Sequence, residues 1–134
     1  MELLVNLDID DLENAIHFYR SAFGLESGRR FGANGAEMLG ASSPIYLLVK
    51  GAGTPASTTM SQSRTYERHW TPVHLDFVVE EIESAVRKAL SAGAILEVPV
   101  STHKWGRIAV MADPFGHGFC IVQFLGRGYD EISE

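Results

Sequence analysis

One pattern of apolar and polar positions occurs twice along the chain, at residues 3–16 and, 70 positions later, at residues 73–86. In both stretches apolar residues first alternate with polar ones, as Val5, Leu7 and Ile9 do, which is the period of a β-strand with one buried face. The spacing then changes to three and four, the period of an amphipathic α-helix. The apolar helical positions are Leu12, Ala15, Ile16, Tyr19 and Phe23, then Ile82, Ala85, Val86, Ala89 and Leu90. Each stretch therefore predicts a strand that leads into a helix.

Residues that commonly end helices flank both predicted helices. Asp10 and Glu13 have the spacing of a capping box, with Asp10 as the acceptor for free N–H groups of the first turn. Gly24 and Gly93 stand where a helix C-terminus favours a positive φ angle, which glycine adopts without steric strain. The helices are therefore expected to end at these two glycines.

Three short strand-like runs, separated by turn residues, follow each helix. Their predicted bounds are 27–32, 36–41 and 44–50 after the first helix, and 95–101, 106–112 and 118–125 after the second. The fold class is therefore α+β, built from two βαβββ modules within one compact domain, each a mixed sheet with one helix packed on it. The modules span 1–50 and 71–126, with a small, polar linker or flap at 51–70 and an acidic tail at 127–134.

The strand period places several polar side chains on the sheet faces that point away from the helices. Asn6 and Asp8 share such a face in the first module, and His74 and Asp76 do so in the second. Two interpretations stay open, because a one-sided sheet often exposes polar residues to water, whereas polar groups on a curved sheet also line ligand pockets.

Composition narrows the classes of partner. The formal net charge is −6 and lysine and arginine form no cluster, which argues against a nucleic-acid partner. No apolar run approaches the length of a membrane-spanning helix, and the acidic start MELLVNLDID does not resemble a signal peptide. The single cysteine fits a reducing compartment. We therefore expect a cytoplasmic protein without a membrane or nucleic-acid partner.

The paired βαβββ units and four short motifs resemble the vicinal oxygen chelate superfamily, which includes glyoxalases, bleomycin-resistance proteins and extradiol dioxygenases. The motifs are FYRSAFG at 18–24, HLDFVVEEIESAV at 74–86, KWGR at 104–107 and DPFGHGF at 113–119. The resemblance implies open, cup-shaped sheets that are often completed by dimerisation, so a homodimer is expected. It does not name a reaction, because one fold serves many chemistries.

The resemblance also implies four inward positions that hold a divalent metal in the metal-dependent members. In this chain they fall on Leu4, within 45–49, on His74 and on Cys120. The first two offer no metal ligand, and a catalytic zinc ion usually has three protein ligands. We therefore expect no metal cofactor; if a metal binds, its ligands are His74 and Cys120, with Asp76 as a possible third. His117 lies outside these positions.

Trp105 and Arg107 flank a glycine ahead of a predicted strand, near the cavity mouth in similar families. A tryptophan face stacks on planar or cationic ligands, and an arginine binds carboxylate or phosphate. Edge packing and surface charge are the alternative roles. The predicted ligand pocket comprises Asn6, Asp8, Tyr46, His74, Asp76, Trp105, Arg107 and Cys120, with Tyr66 and Trp70 as further aromatic candidates.

Two functions follow from these observations. The first is a glyoxalase- or bleomycin-resistance-like protein that binds a small molecule in a sheet-lined, dimer-completed cleft without a metal. The alternative is a metal-dependent lyase, isomerase or dioxygenase in which His74, the best catalytic candidate, is a ligand or general base. A catalytic role for Cys120 is disfavoured, because a free cysteine in an apolar strand is usually inert.

Overall fold

A computed structural model describes all 134 residues of the chain. The chain divides into two compact units, Met1–Glu67 and Arg68–Glu134. Each unit contains one helix and one open four-stranded mixed sheet, so the predicted α+β fold of two βαβββ modules is confirmed.

The first unit begins with strand β1, which is parallel to its neighbour β4, while the other strands pair antiparallel. The sheet order is β1-β4-β3-β2. The elements are β1 (Val5–Ile9), α1 (Leu12–Phe23), β2 (Glu26–Arg30), β3 (Gly35–Leu39) and β4 (Ile45–Val49).

The second unit repeats this topology, with β5 parallel to β8 and the sheet order β5-β8-β7-β6. Its elements are β5 (Leu75–Val78), α2 (Ile82–Ala92), β6 (Ile95–Thr102), β7 (Gly106–Ala112) and β8 (Gly118–Phe124). The predicted strand bounds differ from these by no more than two residues, as expected for single-sequence patterns.

Alternation along the strands decides which side chains form the core. In the first unit Ile9, Met38 and Leu47 are fully buried on the face that packs against α1. In the second unit Met111 and Ile121 are fully buried on the face that packs against α2. The opposite face of each sheet, here called the helix-distal face, receives the alternate residues of the same strands.

The caps of the helices are partly as predicted. Gly24 and Gly93 end α1 and α2 with φ angles of 68° and 116°, which confirms both C-terminal signals. The predicted cap Asp10 is wrong by one residue, because Asp11 has the extended backbone of an N-cap and accepts from Asn14 N at 3.1 Å. Glu13 is therefore not part of a box with Asp10; it pairs with Arg30 instead.

The segment after β4 has more local structure than a plain linker. Residues 51–63 are exposed, but Pro55 and Ser63 form an antiparallel bridge. Two further backbone bonds of 2.8 Å, from Gly53 N to Arg64 O and from Arg64 N to Thr54 O, close the segment into a hairpin-like loop. The boundary between the two units falls after Glu67, within the segment predicted as a linker.

The predicted acidic tail contains a 3₁₀ helix, Gly128–Glu131. Tyr129 in this turn packs edge-on against Phe124, with ring centroids 4.8 Å apart. The tail therefore covers part of an aromatic cluster at the end of β8. Helices α1 and α2 have 12 and 11 residues, and neither is long and apolar enough to cross a membrane.

Candidate functional site

Three side chains with ligating or titratable groups meet on the helix-distal face of the second sheet. Asp76 of β5 lies directly opposite Cys120 of β8 in the parallel pairing, and His74 precedes Asp76 by one strand period. His74 Nδ1 and Asp76 Oδ1 are 2.9 Å apart, and the ligating atoms of all three residues lie within 4.8 Å of one another. We call His74, Asp76 and Cys120 the second-sheet cluster.

Burial and charge keep the thiol of this cluster protonated. Burial, together with the charge of the neighbouring Asp76 carboxylate and a hydrogen bond to it, raises the pKa of Cys120 from 9.0 to about 11. At neutral pH the thiol therefore donates to Asp76. With its proton on Nδ1, His74 donates to the same carboxylate. Asp76 thus accepts from two side chains, while the His74 side chain remains 54% exposed.

The second-sheet cluster fits a divalent metal by donor type and number. Imidazole, thiolate and carboxylate are the side chains that bind zinc, and three protein ligands are usual in open zinc sites. Binding would require Cys120 to lose its proton, because the thiolate is the metal ligand. The first unit offers no equivalent set, since Leu4 precedes β1 and the side chains of β4 contain no imidazole, thiol or carboxylate.

Asn6, Asp8 and Tyr46 share the helix-distal face of the first sheet, since Asn6 lies opposite Tyr46 and the side chains alternate. Asp8 is not open to solvent on all sides, because Arg64 Nε donates to its Oδ2 at 2.8 Å. The three residues predicted for the first module are therefore on one face, as the strand period indicated.

Glu37, which no motif in the sequence marks, is buried on this same face, opposite Tyr46. Arg29 binds both oxygens of Glu37 through its Nε at 3.2 Å and its Nη2 at 2.7 Å, and the Tyr46 hydroxyl donates to Oε2 at 3.0 Å. These bonds, chiefly those from Arg29, lower the pKa of Glu37 from 4.5 to about 2. We call Arg29, Glu37 and Tyr46 the first-sheet cluster.

A bulge in β2 makes room for the first-sheet cluster. The register of β2 against β3 shifts between Ser27 and Arg30, and a Cβ on Gly28 would lie 2.6 Å from Glu37 Oε1. Glycine therefore allows the close approach of this carboxylate to the backbone of β2. The only sign of this cluster in the sequence is a single acidic residue in an apolar strand. The pairing of Glu37 with Arg29 depends on the bulge in β2, which the pattern of apolar and polar residues does not reveal.

Arg107 does not lie with the other predicted pocket residues. It is opposite Gln123, whose side chain accepts from the N–H of Ile82 at the start of α2, so both face the helix. Its guanidinium forms an ion pair with Glu83 of α2, including a bond of 2.9 Å from Nη1 to Oε2. Arg107 therefore lies on the helix side of the second sheet and not on the face of His74, Asp76 and Cys120, because the strand period directs it there.

Trp105 is surrounded by aromatic side chains of its own unit. His103 stacks on it in parallel at 5.5 Å, and Tyr129 of the tail lies tilted at 5.3 Å. The stacking role predicted for Trp105 would therefore require one of these neighbours to move. Trp70, the further aromatic candidate, is 80% exposed.

The turn that contains Asp113 and His117 has a structural explanation. The buried Asp113 carboxylate accepts from the backbone N–H groups of Phe115 and His117, at 2.8 and 3.0 Å. Its other oxygen lies 2.8 Å from His117 Nδ1. Gly116 has a φ of 87°. Asp113 therefore holds this turn together through its carboxylate, and His117 is not one of the three residues of the second-sheet cluster.

The architecture of two βαβββ modules is that of the vicinal oxygen chelate superfamily, and the resemblance read from the sequence is confirmed. Within it, residues 4–122 match the profile of the glyoxalase-like domain, and the chain belongs to this family.

Relatives and solved structures agree with this assignment. An uncharacterised protein of Mycobacterium bovis is 30% identical over 133 residues, which are 96% of this chain and 87% of that protein. The anthracycline biosynthesis protein DauV of a Streptomyces is 31% identical over 136 residues, covering 97% of this chain but only 43% of DauV. A variant of the fosfomycin resistance protein FosX from Listeria monocytogenes, in complex with Mn(II) and a dihydroxypropylphosphonic acid, shares the fold with a TM-score of 0.73. That match has 17% identity and covers 99% of this chain and 97% of the other.

Proposed function

We propose that this protein binds a small organic molecule on the helix-distal faces of its sheets and that binding needs no metal. The observation that carries the proposal is the set of hydrogen bonds in the second-sheet cluster. Asp76 already accepts from His74 and from a protonated Cys120, so its charge is stabilised by the protein's own donors. The exposed imidazole then offers its second nitrogen to a ligand.

The charge of these faces favours a neutral or cationic ligand. The chain has a net charge of −6, and the Cys120 thiol beside the carboxylate of the second-sheet cluster is neutral at neutral pH. The names of two similar proteins, DauV for anthracycline biosynthesis and FosX for fosfomycin resistance, refer to small natural products. They support a small-molecule ligand but do not identify it.

A homodimer that completes the cleft is part of this proposal. Three apolar side chains of the second unit, Val78, Ile95 and Val98, are 60%, 63% and 49% exposed. Exposed apolar side chains and unpaired strand edges favour association with a second copy. Native mass spectrometry at micromolar concentration is expected to show a dimer, and a monomer at that concentration would contradict this part of the proposal.

Native mass spectrometry also tests ligand binding, because it reports any small molecule retained by the purified protein. We expect that dialysis against a chelator leaves both the melting temperature and the retained ligand unchanged. Asp76→Asn is expected to weaken binding, whereas the matched control Asp11→Asn, at an exposed helix cap, is not. Loss of the ligand on chelation would contradict a metal-free site.

The second candidate function is a metal-dependent lyase, isomerase or dioxygenase that uses His74. It is favoured by the three ligating atoms of the second-sheet cluster, which lie within 4.8 Å of one another. The cluster would hold the metal, which when bound would polarise an oxygen of the substrate as a Lewis acid. Stoichiometric metal in the purified protein, and its loss in His74→Ala with the fold intact, would support this function over the first.

A further inference from the structure

Arg64 joins the loop at 51–63 to the first sheet through a set of oxygen atoms. Its Nε donates to Asp8 Oδ2 at 2.8 Å, and its Nη1 donates to Thr54 Oγ1 at 3.2 Å and to the carbonyl of Pro55. Its Nη2 donates to the carbonyl of Ala56 at 3.3 Å. The guanidinium therefore has acceptors on both sides, one on strand β1 and three on the loop.

This arrangement is more enclosed than an ordinary surface ion pair. The Arg64 side chain is only 19% exposed, although every residue from 51 to 63 is exposed. A guanidinium presents its N–H groups in a rigid planar fork, and here each of its three nitrogens has an acceptor. The site is thus built for a guanidinium and not for a single point charge.

The segment that follows Arg64 lies against the same part of the sheet. The Tyr66 hydroxyl donates to the carbonyl of Lys50 at 2.6 Å, next to the end of β4. Burial, together with the negative charges of Asp8 and Asp10, raises the pKa of Tyr66. The loop therefore leaves the sheet at Lys50 and returns beside Asp8, so its two ends are close together.

We propose that Arg64 is a latch: its guanidinium fills a binding site made by Asp8, Thr54, Pro55 and Ala56, and thereby holds the loop at 51–63 closed. When the guanidinium leaves this site, the loop loses the bond from Arg64 to Asp8 of β1 and opens as one segment. Asp8 is then exposed on the helix-distal face. The same site would accept the guanidinium or amidinium group of a ligand in place of Arg64.

The latch has a consequence for ligand binding, and only this consequence rests on the proposed function. A ligand that uses Asp8 must displace Arg64, so its affinity is reduced by the stability of the closed loop. Removal of the latch would therefore strengthen binding of such a ligand. The latch itself does not depend on any ligand and can be tested without one.

Hydrogen exchange of the loop amides, followed by mass spectrometry, tests the latch. In Arg64→Ala we expect exchange in residues 51–63 to rise about ten-fold or more, because local opening controls exchange in such a segment. Asp8→Asn should have a similar effect, and the double variant should add little, because both changes break the same bond. The matched control is Arg30→Ala, which breaks the exposed ion pair with Glu13 in the same unit.

Chemical rescue distinguishes two causes of faster exchange in Arg64→Ala: an empty guanidinium site and a general loosening of the loop. Millimolar methylguanidinium should restore slow exchange in Arg64→Ala, whereas tetramethylammonium at the same ionic strength should not, because it has no N–H donors. If Arg64→Ala does not fold, Arg64→Lys takes its place and should show a smaller rise in exchange. Unchanged exchange in these variants, or equal rescue by both cations, would overturn the latch.

Discussion

The two modules have the same strands but different chemistry at equivalent places on their helix-distal faces. The strand pair that carries Asp76 opposite Cys120 in the second sheet carries Asn6 opposite Tyr46 in the first. Leu4 occupies the position that corresponds to His74, 70 residues later. The positions that form an ionisable cluster in the second module are therefore neutral in the first.

Two acids on the helix-distal face of the first module occupy positions that are apolar in the second module. Asp8 corresponds to Val78, and Glu37, opposite Tyr46, corresponds to Val110, opposite Cys120. These two acids are each paired with an arginine, Asp8 with Arg64 and Glu37 with Arg29. Arginine stays protonated and binds carboxylates as a planar fork, whereas imidazole and thiol groups are also metal ligands.

The same scaffold thus occurs twice in the chain and carries different chemistry on its two helix-distal faces. The first module presents arginine–carboxylate pairs, which suit fixed recognition and a clamped loop. The second module presents an imidazole, a carboxylate and a thiol, which suit hydrogen bonding to a ligand or metal binding. Four predictions test this contrast.

The largest losses of stability are expected from substitutions at core positions that the two modules share. Leu47 and Ile121 lie at equivalent core positions and are fully buried. Leu47→Ala and Ile121→Ala should each lower the free energy of unfolding by about 2–5 kcal/mol, because both leave a cavity. Urea unfolding monitored by circular dichroism measures the loss. The control Leu3→Ala, at a side chain that is 74% exposed, should change it by only about 0.5 kcal/mol. A loss of stability in only one of the two variants would show that the two cores are not equivalent.

The second prediction concerns the charged pair of the first module. Because the pKa of Glu37 is lowered from 4.5 to about 2, its contribution to stability is present above pH 4.5 and is lost as the pH falls toward 2. Glu37→Gln should therefore flatten the acid side of a plot of urea midpoint against pH. Arg29→Ala should do the same by raising the pKa of Glu37. The matched variant in the second unit is Glu81→Gln, which removes a helix-capping carboxylate whose pKa is also about 2.

The fold could be predicted from the sequence because it depends on local periods and on a repeat. Alternation in Val5, Leu7 and Ile9, and its recurrence 70 residues later, is enough to place strands, helices and faces. Turn residues such as Gly24 and Gly93 then set the ends of the helices.

The candidate site could be predicted only where it follows the strand period. His74, Asp76 and Cys120 are on one face because their strands are regular and pair in register. Glu37 was missed because its partner Arg29 reaches it across a bulge, and Arg107 was misplaced because its motif was read without its strand phase. The bonds of Arg64 depend on a loop whose path no periodic pattern specifies.

The third prediction tests the thiol of the second module. With the pKa of Cys120 at about 11, alkylation by iodoacetamide should be slow at neutral pH, because the thiolate is the nucleophile. Burial is the largest cause of this raised pKa and stays in place in Asp76→Asn, but the variant removes the negative charge that adds to it, so the midpoint of the alkylation rate should fall below that of the wild type while staying above 9.0, and the reaction at pH 8 should be faster. A wild-type midpoint already near 9.0 would contradict the proposed hydrogen bond. Zinc that blocks alkylation of the wild type but not of His74→Ala would favour the metal-dependent alternative.

The smallest changes in stability and in ligand affinity are expected from substitution of Arg107, which points toward α2 and does not lie on the helix-distal face. Arg107→Gln removes the ion pair with Glu83, and because partly exposed pairs contribute little, the melting temperature should fall only slightly. Binding of any ligand retained by the wild type should stay within about two-fold, since uncoupled sites act independently. Asp76→Asn, measured in the same calorimetric titration, should weaken that binding by about ten-fold or more, as loss of a hydrogen bond to a charged group does. A larger effect from Arg107→Gln than from Asp76→Asn would place the ligand on the helix side of the second sheet and would remove the basis for comparing the two helix-distal faces.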